Sequence, residues 1–352
     1  MRQTPLFEQH QALGGKIVDF AGWALPVQYS SQKQEHNIVR EHVGIFDVSH
    51  MSPVDLTGPT VGDFLRRLLT NDVAKLSDGR ALYTCMCQAD GGVIDDLIVY
   101  RASADHFRLV LNAGTRDSDM AWIESQLAGV AGVELTTAFD GVLIAVQGPE
   151  AIALCEKIGL PTPEKRFSFL RDGDRWIART GYTGEDGVEI MLGAEDGRQV
   201  WQQLIDAGAA PCGLGARDSL RLEAGMALYG NDLDREHTPI ASGLAWVVDL
   251  KDPAREFIGR DVIEAAKADP QEHMVGVVLE APGVLRGHLP LFHQNQQVGE
   301  LTSGGYSVST GRSIGLARVS TLADDYEVEI RTKRLPLRRV KYPFVSHSKA
   351  TF

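Results

Sequence analysis

An α+β fold built mainly from antiparallel sheet is predicted by three features of the chain. Short runs of alternating apolar and polar residues recur along its length, and the helical stretches between them are brief. The βαβαβ rhythm that a parallel sheet needs is missing from the pattern. From about His273 the texture changes to short strands punctuated by Gly and Pro (VGVVLE, APG, QVGELTSGGYSV, SIGLARV, YEVEIR), the spacing of a small antiparallel barrel or sandwich. At 352 residues the chain exceeds the roughly 250–300 at which a single core stops growing, so two or three domains are expected.

The elements follow in order. Residues 31–41 have helical spacing, and GIFDVSHM (44–51) reads as a strand. Val54–Thr57 reads as a strand, Gly58-Pro59 as a turn and Gly62–Leu69 as a helix. A hairpin is expected from Val93–Tyr100, a polar turn over Ala102–His106, and Phe107–Asn112, followed by a helix over Asp117–Leu127. Val142–Gln147 is an apolar strand. In Val188–Leu192 alternation places Val188, Ile190 and Leu192 on one face and Glu189 with Met191 on the other. Arg217 opens a segment in which Leu220, Ala224, Ala227 and Leu228 recur at helical spacing. Residues 265–270 (AAKADP) read as a linker before the C-terminal strands.

Composition narrows the function. A net charge of −12 argues against nucleic acid, whose binding depends on Lys and Arg neutralising phosphates. No apolar run approaches the ~20 residues that span a bilayer, and MRQTPLFEQHQ lacks a signal-peptide core, so neither a membrane nor a secretory route is expected. Four cysteines in so long a chain do not make a disulfide framework; Cys85 and Cys87, on one face of a strand, read as buried thiols in a reducing, cytoplasmic setting. No metal site is expected.

Several constellations carry chemistry. In GGVIDDLIVY (91–100) a turn leads into a strand with Asp95 and Asp96 on opposite, otherwise apolar faces, so at least one carboxylate is expected to enter a cavity. A hairpin with a five-residue turn sets Asp96 opposite Asn112, whereas a shift of one residue would pair Asp95 instead. The plainer alternative is that both carboxylates satisfy backbone N–H groups at a sheet edge. Glu189 alone reads most simply as a solvated strand residue and Arg217 alone as a surface or interdomain ion pair. Yet a cation at a helix start opposes the helix dipole, so Arg217 calls for an acceptor-rich partner. Cys-Gly-Leu-Gly-Ala (212–216) lacks the third glycine of a dinucleotide fingerprint, and Gly181–Gly187 lacks the Lys of a P-loop. Asp47, Ser49 and His50 are hydrolase-triad residue types too close along one strand to form a relay. His36 and His42 read as solvated helix-end residues. The basic run RTKRLPLRRVK (331–341) reads as a charged edge strand, or as a docking surface for an anionic partner.

These segments together resemble the aminomethyltransferase, or T-protein, family of the glycine cleavage system. The resemblance covers nearly the whole chain: TPLFEQHQALGGKIVDFAGWALPVQY, GIFDVSHM, TNDV, GGVIDDLIVY, VQGP, GYTGEDGVEI, CGLGARDSLRLEAGMALYGNDLD, FIGR, GVLR and TSGGYSVSTGRSIGLARV occur in family order. It implies a three-domain cloverleaf around a central folate channel. The first domain would comprise 1–52 plus 141–229, the second 53–140 plus 230–272, and the C-terminal β-barrel 273–352. The implied reaction transfers a methylene unit from the aminomethyl group on the lipoyl arm of the H-protein to tetrahydrofolate, releasing ammonia.

By the same resemblance, Asp96 lies by the folate N10, Glu189 accepts the amino and ring N–H groups of the pterin, and Arg217 meets a folate carboxylate or the pterin carbonyl. Tyr83, Asn112, Tyr182 and Trp246 match positions that line the channel. A tyrosine that some members carry near the C-terminus is not matched, since the chain ends HSKATF. Two rivals share this resemblance. One is a stand-alone folate-dependent demethylase of a methylated amine or sulfonium. The other is a non-catalytic folate-binding protein of the same fold, whose K-G-C-x-x-G-like segment the chain lacks.

Overall fold

The computed structural model describes residues 1–137 and 140–352, which divide into two compact units, each discontinuous in sequence. The first comprises Met1–Leu65, Val73–Tyr83 and Leu97–Asp218, and the second Arg66–Asp72, Thr84–Asp96 and Ser219–Phe352. The expected barrel segment falls within the second unit.

The first unit is organised by a six-stranded sheet in the order Phe169–Asp172, Arg175–Ala178, Gly187–Gly193, Gly141–Gln147, Gly44–Asp47, Ala210–Pro211. All neighbours are antiparallel except the last pair. Gly141–Gln147 is buried at every residue. Its Val142, Ile144 and Val146 join Val188, Ile190 and Leu192 in a core closed by Leu154 and Cys155 of the helix Ala151–Lys157 and by Val200, Trp201 and Leu204 of the helix Ala194–Asp206. Alternation sends the remaining residues, Glu189 and Met191 among them, to the opposite face. A three-stranded sheet, Arg2–Gln3 beside Trp23–Gln28 beside Lys16–Phe20, completes the N-terminal part.

A five-stranded sheet follows the order Arg80–Cys87, Val93–Ser103, His106–Leu111, Ser52–Thr57, Glu134–Thr136. The hairpin differs from expectation in its turn. Strand pairing continues to Ser103–His106, and a bulge between Arg101 and Ser103 absorbs the extra residue. Before the bulge the pairing runs evenly from Ile98–Val110 to Arg101–Phe107.

The second unit contains a closed six-stranded barrel in the order His273–Leu279, Arg312–Val319, Gln296–Ser307, Pro290–His293, Asp325–Ile330, Lys333–Val340. Every pair is antiparallel, and Lys333–Val340 pairs back onto His273–Leu279 to close the ring. The basic run is therefore not an edge strand: closure leaves it paired on both sides. Val277, Leu291, Leu301, Ala317, Val328 and Leu337 fill the interior.

Other departures have local causes. The expected linker is the end of a helix, Arg260–Ala268, with Asp269-Pro270 after it. The helix carrying Arg217 spans Leu214–Glu223, beginning three residues before that arginine and ending before Ala224; Gly225 takes a left-handed φ of 66° that stops it. His36 is fully buried inside the helix Gln32–Glu41, whereas His42 is exposed beyond its end, as expected. Ser31 caps that helix, its hydroxyl accepting from the Gln34 N–H at 3.3 Å.

Candidate functional site

Glu189 is positioned by the centre of the six-stranded sheet, where it faces Ala145 on one neighbour and Ala178 on the other. Small partners on both sides leave room for its side chain. Glu189 is buried rather than solvated, which corrects the plain reading of a strand glutamate. One carboxylate oxygen, Oε2, accepts the Thr180 hydroxyl at 2.6 Å, and Tyr100 Oη stands 3.5 Å from the same hydroxyl. Oε1 has no hydrogen bond among the described residues. Burial, with Glu189 acting in the same sense, raises the pKa of Tyr100, so its phenol keeps its proton.

Arg217 is fixed by the start of its helix. Gly213, just before that helix, passes so close to the strand Trp23–Gln28 that a Cβ there would lie 2.4 Å from the Val27 backbone. Its N–H donates to Glu35 Oε2 at 2.8 Å, and Glu35 Oε1 accepts the N–H groups of Tyr29 and Ser30 at 2.7 and 2.8 Å. One buried carboxylate thus gathers three backbone donors and anchors the helix start. Four residues on, the Arg217 guanidinium lies over the Tyr182 ring, 4.6 Å from its centroid. Its Nη1 is buried and has no hydrogen-bond partner among the described residues. Burial lowers the Arg217 pKa, and the negative charge of Glu189, then Tyr182, opposes that shift. The charge of Glu189 thus favours the cationic form of Arg217.

GIFDVSHM is not one strand. The strand ends at Asp47, because Asp47 Oδ1 accepts the Ser49 N–H at 2.9 Å and the Met51 N–H bonds to the Val48 carbonyl at 3.1 Å. That Asx turn bends the chain at Ser49-His50. Ser49 Oγ lies 2.5 Å from Asp47 Oδ1, and His50 is hydrogen-bonded to neither, so no hydrolase relay exists here. Asp47 instead belongs to a second buried network. Its Oδ2 accepts Thr4 Oγ1 at 2.6 Å and His10 Nε2 at 2.8 Å, and the other His10 nitrogen lies 2.8 Å from the Tyr29 hydroxyl. His50 is buried with its ring edge-on to Phe20, and its Nδ1 lacks a partner among the described residues. Burial and then the charge of Arg217 push its pKa down to about 4, Asp47 opposing, so the imidazole is neutral at pH 7.

The remaining candidates are placed as follows. Asp95 is completely buried and shares its face with Val93, Leu97 and Val99, whereas Asp96, on the other face, is half-buried. Tyr83 is half-buried in Arg80–Cys87, Asn112 follows directly on His106–Leu111, and Tyr182 lies in the turn before Gly187–Gly193. Trp246, in the short 3-10 turn Ala245–Val247, is 66% exposed. The four cysteines are free and buried; burial first, and then the neighbouring Cys87, Asp96 and Asp95, raise the Cys85 pKa. Most of the basic run's arginines are already engaged. Arg338 and Arg312 share Glu280, Arg339 pairs with Asp324 at 2.9 Å, and Arg334 lies over the Phe292 ring.

Sequence reasoning singled out Glu189 and Arg217 but not the groups that hold them. Thr180 and Glu35 have common side chains, and only the fold brings them to their partners, nine residues away along the chain in the first case and 178 in the second. The sequence reading that Asp47, Ser49 and His50 form no relay agrees with the structure, in which His50 is hydrogen-bonded to neither.

Comparison with known proteins agrees with this architecture. The GCVT N-terminal domain family model matches residues 6–252, and that of the glycine cleavage T-protein C-terminal barrel domain matches residues 273–346, where the texture of the sequence changes. An aminomethyltransferase of Alcanivorax borkumensis is 47% identical over 357 residues, spanning 99% of this chain and 98% of that protein. One from Francisella tularensis subsp. tularensis is also 47% identical, over 99% of each. The crystal structure of glycine cleavage system aminomethyltransferase T from Bartonella henselae matches with a TM-score of 0.94 at 34% identity, covering 98% of both chains. With both family models matched in order and relatives this similar along their full length, the chain belongs to the glycine cleavage T-protein family of aminomethyltransferases.

Proposed function

We propose that this chain moves a methylene unit from the aminomethyl-dihydrolipoyl arm of the glycine cleavage H-protein to tetrahydrofolate. The carbon of the carrier's S–CH2–NH2 group becomes the bridge between N5 and N10 of the folate. Its bonds to sulfur and to the amine nitrogen break, and the protons lost from N5 and N10 leave with the thiol and with ammonia. The product is 5,10-methylenetetrahydrofolate.

The observation that carries this reading is the burial of a carboxylate, Glu189, and a guanidinium, Arg217, in the first unit, each with hydrogen-bonding capacity that the described residues do not use. Thr180 occupies one oxygen of Glu189 and leaves the other open, while Arg217 keeps a buried N–H unused. A pterin offers the complement: adjacent amino and ring N–H donors, then a carbonyl acceptor. A buried carboxylate takes the two donors as a charge-assisted pair, and a guanidinium meets the carbonyl. The Tyr182 ring packs against the guanidinium. Tyr83, Asn112 and Trp246 would line the remainder of the cofactor's path, and the half-buried Asp96 would accept from N10 and later carry off its proton.

In this reading residues 1–52 plus 141–229 form the first, folate-binding domain, residues 53–140 plus 230–272 the second, and the β-barrel 273–352 the third. Four buried, unoxidised thiols fit a reducing cytoplasm.

The deciding assay measures 5,10-methylenetetrahydrofolate formation from aminomethylated lipoyl carrier, beside dimethylglycine and sarcosine as donors. Product from the carrier alone supports the transferase; product from the methylated amines supports a demethylase. A second expectation concerns binding. Glu189→Ala and Arg217→Ala each strand a polar group of the ligand, at about 1–3 kcal/mol, so tetrahydrofolate affinity should fall ~10-fold or more. Unchanged titrations for both variants would place the pterin elsewhere.

A further inference from the structure

The strand Gly141–Gln147 carries a single polar side chain, that of Gln147, and it is buried. Gln147 stands between Gly187 on one neighbouring strand and Gly44 on the other, and alternation puts it on the face of Ala145, the residue opposite Glu189. Its amide is bonded at both ends. Nε2 donates to the carbonyls of Thr180 at 3.1 Å and Val146 at 3.2 Å and lies 3.5 Å from that of Val188, while Oε1 accepts the Thr183 hydroxyl at 2.9 Å. Three carbonyls at one end identify that end as the NH2 group.

The loop between Thr180 and Gly187 is wrapped around this side chain. A Cβ at Gly181 would lie 1.9 Å from Gln147 Oε1, and one at Gly187 2.8 Å from Nε2, so both positions require glycine. Arg40 fastens the far side of the loop, donating from Nη1 to the Thr183 carbonyl at 2.8 Å and to Glu185 Oε1 at 2.7 Å. The Gly148 N–H donates to the Asp186 carbonyl at 2.9 Å. The segments VQGP and GYTGEDG are thus one packed unit. Because the Gln147 amide bonds to residues 180 and 183 at once, it leaves the intervening Gly181-Tyr182 little latitude. Those residues reach the candidate site directly: the Thr180 hydroxyl donates to Glu189 Oε2, and the Tyr182 ring packs on the Arg217 guanidinium.

We propose that Gln147 is a positioning residue for the folate site, holding Thr180 and Tyr182 where the first orients the Glu189 carboxylate and the second the Arg217 guanidinium. This rests on the folate reading given above and deepens it. A donor at Oε2 restricts rotation of the carboxylate about its last bond, and a ring against the guanidinium restricts that plane in turn. Paired N–H donors of a pterin need a carboxylate coplanar with them. With Gln147 in place both planes are set before the ligand arrives, and binding does not have to order them.

The test uses the full chain and tetrahydrofolate, with Gln147→Met, an apolar side chain of similar length, made in the parent and in a Thr180→Val/Tyr182→Ala background. In the parent, Gln147→Met should weaken tetrahydrofolate binding ~10-fold or more. Its KM for tetrahydrofolate should rise by the same factor, with kcat within ~3-fold, the pattern of lost binding rather than lost chemistry. In the background, where the side chains through which Gln147 acts are gone, the further loss of affinity should be under ~3-fold. Gln147→Met should lower the melting temperature equally in both, so a general loosening of the sheet would weaken binding equally in both. Parental affinity in Gln147→Met, or an equal loss of affinity in the two backgrounds, overturns the proposal and leaves the folate reading intact. If Gln147→Met does not fold, Thr183→Val, which removes only the donor to Oε1, is judged by the same comparison. A parent protein that binds no tetrahydrofolate would overturn the folate reading itself, and this proposal with it.

Discussion

Asp96→Asn is expected to lower turnover by at least ~10²-fold, in the range that a general acid–base group supplies, while the protein folds normally. The substitution keeps the shape of the side chain and one hydrogen-bonding oxygen but removes the charge that accepts a proton. Asp96 is half-buried on a strand face shared with Ile94, Ile98 and Tyr100, so it is reachable by a substrate yet set among apolar neighbours. Asp95 is the natural control. It has no exposed surface and lies on the face with Val93, Leu97 and Val99, where a substrate cannot reach it. Asp95→Asn should therefore act on stability and lower the melting temperature, with turnover per folded molecule close to the parent's. Measuring kcat and thermal unfolding for both variants separates the two roles. The assignment fails if Asp95→Asn abolishes turnover at unchanged stability while Asp96→Asn stays active.

Much of this architecture was legible in the sequence because strand alternation and turn residues are local signals. The strands around Glu189, the hairpin after Asp95-Asp96 and the change of texture at His273 all depend on such signals, and each is present. Barrel closure was not legible. Whether Lys333–Val340 is an edge or an interior strand depends on its pairing with His273–Leu279, about sixty residues earlier, and no local pattern encodes that. The strand break after Asp47 was missed for a different reason. Val48, Ser49, His50 and Met51 continue an acceptable alternation, and only the Asp47 carboxylate, by capturing the Ser49 N–H, decides the bend. Burial of Glu189 and Arg217 was likewise invisible residue by residue. The role proposed for them rests on the ordered motifs that surround them.

Asp47→Asn is expected to destabilise the protein by about 1–3 kcal/mol at pH 7, the cost of leaving a buried donor without its acceptor. The Asp47 carboxylate is buried and accepts four hydrogen bonds: Thr4 and His10 at one oxygen, and the Ser49 N–H and hydroxyl at the other. An asparagine amide has only one acceptor oxygen, so in either orientation its NH2 group points at donors. Burial alone would raise the Asp47 pKa, but the His10 contact, with Ser49 and Thr4, outweighs burial and holds it below the usual carboxylate range. The sign of the pH dependence follows. A carboxylate whose folded pKa is depressed stabilises the fold above its unfolded pKa of about 3.9, and that contribution is lost as pH falls below it toward the folded value. The difference in melting temperature between parent and Asp47→Asn should therefore be constant from neutral pH down to about pH 5 and shrink below about pH 4. Thermal unfolding of the two proteins across that range checks it. Because Thr4, His10 and Tyr29 come from the N-terminal segment, the variant should also expose that segment to proteolysis before the rest of the unit. A melting difference that is absent at pH 7, or that persists undiminished at pH 3, would show that the network is not what ties that segment to the sheet.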